Sequence, residues 1–225
     1  MLRATSAAGT LLGLLAWLGA APAASATLDF GLDIEFSGGQ APAGPSPWVT
    51  ASFDDATGDP TSVLLTIAAP GLMGGANGEY MAEISFNFDP VLDPTLLSFV
   101  AVDTLDIGAT TVGTGANLFM SDGDGDFDIM FDFPPPPGTP AGRFTGGDAV
   151  TYEIFYAGGN IDVSSFDFFS DMGGGQGTFL AAAHVQNTTG AGSGGSGWIG
   201  AVPEPATAGM VAMGVIVLGC ARRRR

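Results

Sequence analysis

Apolar and polar residues alternate with a period of two along much of this chain. Over residues 28–36, Leu28, Phe30, Leu32, Ile34 and Phe36 fall on one side, and Asp29, Gly31, Asp33 and Glu35 on the other. That is the pattern of a half-buried strand. It returns with Val49, Ala51 and Phe53, with Ile84, Phe86 and Phe88, and with Phe127, Ile129, Phe131 and Phe133. It returns again with Val150, Tyr152, Ile154 and Tyr156, and with Phe179, Ala181, Ala183 and Val185. Residues 62–68 are a continuous run suited to a more central strand. Between residues 27 and 189 no stretch combines a helical period with caps. Glycine- and proline-rich turns separate the runs, as at 42–47, 71–78, 146–148, 158–160 and 173–177. Pro134 to Pro137 cannot join a sheet interior and predict an exposed extended connector. Eight or more short strands, each with one apolar face, need a facing layer to bury it. The expectation is an all-β antiparallel sandwich, jelly-roll-like, forming a single domain over residues 27–189, with a closed barrel as the alternative.

Both ends read as processing segments. Residues 1–26 have Arg3, an apolar stretch from Leu11 to Leu18, and Ala24-Ser25-Ala26 as a small-residue cleavage site before Thr27. This predicts a signal peptide and the general secretory route. Residues 190–201 read as a Gly/Ser-rich linker, flexible enough to hold a folded body off a membrane. In residues 202–225, Val202-Pro203-Glu204-Pro205 precedes sixteen uncharged residues and then Arg222, Arg223, Arg224 and Arg225. Sixteen helical residues rise about 24 Å, slightly short of a bilayer core. The arginines would stay cytoplasmic, and the prolines keep the entry to the helix extended. Motif, apolar segment and basic end, in that order, resemble the PEP-CTERM sorting signal. The resemblance implies processing by an integral-membrane exosortase, transient contact with the inner membrane, and delivery to the cell surface or extracellular matrix. The stretch from Phe127-Asp128-Ile129 to Trp198-Ile199-Gly200 is similar to a recurrent type of PEP-CTERM body and brings no activity with it.

Charge narrows the partners. Residues 27–205 contain one basic residue, Arg143, against all 23 acidic ones. Such a surface repels phosphate backbones, so nucleic acid is not an expected partner, whereas divalent cations are attracted. The only cysteine, Cys220, lies in the C-terminal apolar segment, so no internal disulfide supports the body.

The densest candidate site is Asp122, Asp124, Asp126 and Asp128, spaced by Gly123, Gly125 and Phe127. Alternating aspartates with glycines gather oxygen ligands as calcium loops do, so the alternatives are no cofactor or calcium at this run. The EF-hand template fails, because Phe127 and Phe133 stand where it needs glycine and glutamate. On the strand reading, Asp126 and Asp128 instead form a solvated outer face. Trp48 falls on the polar side of its run and is the candidate platform for a sugar ring. Trp198 follows the glycine spacer and is suited to docking that segment back onto the body. His184, the sole histidine, has no suitable partner nearby in sequence and predicts a surface or half-buried polar position. No GxSxG elbow is present, so no catalytic residues are expected. The function expected is a non-catalytic surface or matrix protein with a structural or adhesive role, with exosortase and extracellular polysaccharide as partners. A calcium- or carbohydrate-binding module and a secreted hydrolase are the alternatives.

Overall fold

The computed structural model describes residues 25–74, 78–104, 107–123, 125–133, 142–175, 177–188 and 195–202. The first 24 residues of the expected signal peptide, Pro134 to Pro137, and the tail from Pro203 onward lie outside them. Among the described residues the strands are β1 (Thr27–Leu32), β2 (Ile34–Glu35), β3 (Val49–Asp54), β4 (Ser62–Ala68), β5 (Tyr80–Phe86) and β6 (Leu97–Asp103). They continue with β7 (Thr111–Met120), β8 (Asp126–Asp132), β9 (Phe144–Thr145), β10 (Ala149–Tyr156), β11 (Ala181–Gln186) and β12 (Ser196–Ala201). Helical structure is limited to two short 3-10 turns. No helix among these residues is long and apolar enough to cross a membrane.

The strands form two antiparallel sheets. One has the order β1-β3-β4-β10-β6, with β4 at its centre. The other has the order β2-β12-β11-β5-β8-β7, with β9 also paired to β5. Among the described residues each sheet is open at both edges, so the architecture is a sandwich rather than a closed barrel. The core lies between the inner faces and is rich in phenylalanine. Phe53 of β3 meets Phe86 of β5 edge-on at 5.4 Å and stacks on Phe166 at 4.4 Å. Phe131 of β8 meets Tyr152 of β10 at 5.0 Å and Phe99 of β6 at 5.2 Å. Tyr152 and Tyr156 are core residues, as their alternation predicts. Their hydroxyls accept from the amides of Ala109 and Asp93, which meets the partner that a buried phenol needs.

Two expectations change. The run over 28–36 is not one strand. At Asp33 the chain leaves the first sheet, and the Asp33 amide donates to Gly200 of the second. One alternating pattern therefore feeds two sheets. The linker expected over 190–201 is also shorter, because 196–201 is β12, paired with β11 along its whole length. Its glycines are there for close packing: a Cβ on Gly200 would lie 2.6 Å from the Phe179 ring, and one on Gly197 would lie 2.7 Å from the Gln40 carbonyl. The folded body therefore runs on at least to Ala201, the residue before Val202. Val202 packs against a small apolar cluster of Phe36, Phe127, Phe179 and Ala182.

Candidate functional site

Sheet pairing assembles a row that the sequence does not announce. On β11, Ala183 and Val185 point into the core, so His184 points outward. Its register partners are Trp198 on β12 and Glu83 on β5, and Glu83 in turn opposes Asp132 on β8. Directly opposed residues share a face, and neighbouring strands lie about 4.8 Å apart. Trp198, His184, Glu83 and Asp132 therefore form a straight row across four strands on the outer face of the seven-stranded sheet. The His184 and Trp198 rings stack with centroids 4.8 Å apart and planes 9° from parallel. His184 Nδ1 lies 3.9 Å from Glu83 Oε1, and the two side chains are 23% and 26% exposed.

The electrostatics follow from that placement. Burial pushes the Glu83 carboxyl above its usual range, and the neighbouring Asp132 adds to the rise. Burial lowers His184, while Asp122 in the β7–β8 turn pulls it the other way. The turn thus reaches toward this face. The other half of the face is covered by the small apolar cluster, against which Phe119 and Trp198 also pack. What remains is a half-open strip with an aromatic step at one end and carboxylates at the other.

The aspartate run has other duties. Asp122 sits in the turn with φ 51°, and Asp124 lies outside the described residues. The backbone of Asp126 exchanges hydrogen bonds with Asp171 at 3.0 and 3.1 Å. Asp128 accepts the Phe88 amide at 2.9 Å and the Asn117 amide at 2.8 Å, one on each oxygen. That carboxylate ties a bulge in β7 to the end of β5 and is not a free outer-face group. Among the described residues, no group of three or more His, Cys, Asp or Glu side chains is placed to hold a metal ion.

Trp48 needs a correction. It is 9% exposed, lies in the main core, and donates from Nε1 to the Gly44 carbonyl at 2.9 Å. It precedes β3 instead of lying in it, so strand alternation does not set its direction. Trp198, expected to dock the segment after the spacer, does so as a strand residue. Of the sorting residues, Val202 is placed as described, while Pro203, Glu204, Pro205 and Arg222 to Arg225 lie outside the described residues.

A cleft of about 780 Å³ lies elsewhere, at a loop end lined by Asp55, Asp59, Asp89 and Asp162 with several serines. Its acids are committed to local structure: Asp59, Asp89 and Asp162 accept amides two residues on, and Asp55 accepts the Ala26 amide. Glu79, buried at 2%, likewise spends its oxygens on the amides of Ala43 and Met73. The sheet-face row is different, because Glu83 is held above its usual range and both it and Asp132 are partly open.

No protein-family description matches the chain, and no curated protein is similar to it. A similar solved structure is that of biomass-sensing modules from putative Rsgi-like proteins of Clostridium thermocellum, which resemble the family 3 carbohydrate-binding module of the cellulosome. The likeness has 9% identity over 80% of this chain and 98% of that one, with a TM-score of 0.31. At that level it carries no argument about function.

Proposed function

We propose that the chain is an exported, non-catalytic binding module that holds extracellular polysaccharide on the outer face of its seven-stranded sheet. In the same reading, residues 202–225 are its exosortase-processed sorting tail and its destination is the cell surface or matrix. The observation that carries the binding reading is the in-register row of Trp198, His184, Glu83 and Asp132. A sugar ring has apolar C–H faces and a rim of hydroxyls. The parallel Trp198 and His184 rings offer the first a partner, and the carboxylates accept from the second. A row across four strands spans roughly 14 Å and is straight, which suits a chain polymer better than a small molecule needing enclosure.

The test uses the two tryptophans of the body. Trp48 is buried and should not respond, whereas Trp198 fluorescence should change saturably as polysaccharide is added. Trp198→Ala should weaken retention in affinity electrophoresis at least tenfold, about 1.4 kcal/mol. Wild-type protein that binds none of a broad polysaccharide panel, or a variant that binds as well as wild type, removes the reading.

Glu83 favours a second reading. A carboxyl held up by burial beside another carboxylate is how glycosidases separate acid from base. A hydrolase would release reducing ends from a bound polymer and lose that activity in Glu83→Gln. The binding reading expects no release by wild type, with Glu83→Gln still binding.

A further inference from the structure

The body's one arginine is on the same face and, among the described residues, has no acid to pair with. Tyr80 of β5 opposes Gln186 of β11, and the Tyr80 hydroxyl donates to the Gln186 side chain. Gln186 lies two residues beyond His184 on β11, so Tyr80 sits about 7 Å along the strands from the row. The Arg143 guanidinium lies over the Tyr80 ring, its carbon 4.3 Å from the centroid. Among the described residues, no carboxylate is within ion-pair distance of it, in a chain with 23 acids. Its Nε is buried with no acceptor among the described residues. An arginine kept only to balance the surface would be expected beside one of those acids. This one rests against the face of an aromatic ring, which restrains its donor fork.

We propose that Arg143 is a carboxylate-recognition subsite on the outer face, and that the polysaccharide bound there carries acidic sugars at intervals. This names the ligand of the site above and so rests on that reading. A planar fork matches a carboxylate through two parallel N–H···O bonds, which a lysine could not reproduce. A single guanidinium among so many acids serves one carboxylate at a time. The surrounding field turns away densely charged polyanions, whereas a sparsely acidic polymer pays little for it at ordinary ionic strength.

The test is direct because the other arginines lie near the chain ends. In the full chain, nitrogen-15 labelled and held in detergent micelles, the Nε–Hε signal of Arg143 is assigned by its loss in Arg143→Gln. It should shift saturably with sodium glucuronate, and not with glucose or with sodium chloride at matched ionic strength. Arg143→Gln and Arg143→Lys should each weaken binding of a uronate-containing polymer at least tenfold and leave a neutral polymer unaffected. Absence of a saturable shift, or its reproduction by chloride, overturns the proposal. An equal response to acetate overturns the assignment to a sugar. The two readings fail separately. If Trp198→Ala abolishes polymer binding while the Arg143 signal stays silent, the row stands and this subsite falls. If the signal responds to glucuronate while Trp198→Ala binds as wild type, the subsite stands and the row falls.

Discussion

At the scale of single residues, His184 and Glu83 give the fold opposite responses to acid. His184 is held below its usual 6.5, so the folded state resists its protonation. Its contribution to stability is complete above that value and is lost as the pH falls below it toward the depressed folded value. Glu83 is held above its usual 4.5, so it costs stability when ionised, and the cost is relieved as the pH falls through the raised value. Melting temperature measured from pH 7.5 to 5 should therefore drop less in His184→Gln than in wild type, and more in Glu83→Gln. Equal slopes in all three would mean that neither group is linked to folding. Asp128 makes a different prediction. Its replacement by alanine orphans two amides, costing about 1–3 kcal/mol for each. That loss should be the same in calcium and in EDTA; a loss confined to calcium would favour the calcium reading of this run. The aspartate run was conspicuous in the sequence, yet spacing alone could not say that Asp128 would face two amides. His184 was read as surface or half-buried and is half-buried, but its partners come from strands about a hundred residues upstream and fourteen downstream, joined only by sheet register.

At the scale of elements, legibility followed alternation. Strands β3, β8 and β10 bury alternate residues, and their apolar periodicity reported them, as it did β5 and β11; β4 was reported by its continuous apolar run. Two edge strands, β6 and β7, did not report themselves. β6 is largely exposed, and β7 is interrupted by a bulge at Gly115–Leu118 between its two paired stretches. β12 was hidden for another reason: its glycines read as spacer, while the fold uses them for close approach. Gly200→Ala tests this. The added methyl must displace the Phe179 ring at 2.6 Å, and overpacking of this kind costs about 1–3 kcal/mol. Urea unfolding should show that loss, whereas a true linker glycine would show almost none. The Trp198 side of the binding row should loosen with it, because Phe179 and Trp198 share the same apolar cluster.

At the scale of the whole molecule, the position of β12 changes what the glycine spacer can do. As a linker after the body, the spacer would give slack between the folded domain and the sorting motif. With β12 in the sheet, the spacer lies inside the domain, between β11 and β12. Adjacent antiparallel strands can be joined by two to five residues. Removing residues 190–194 leaves four between Gln186 and Ser196, enough to close the hairpin. The tail, by contrast, has no slack: Val202 packs against the Phe36 cluster one residue before Pro203. In the proposed sorting route, exosortase must then work close against the folded body, and steric room should limit the rate. Inserting six Gly/Ser residues after Val202 should raise the processed fraction in pulse-chase analysis of envelope fractions. Deleting 190–194 should leave it unchanged. The reverse result, with the deletion slowing processing and the insertion doing nothing, would mean that β12 leaves the sheet when the tail is presented, and that the spacer is what lets it go.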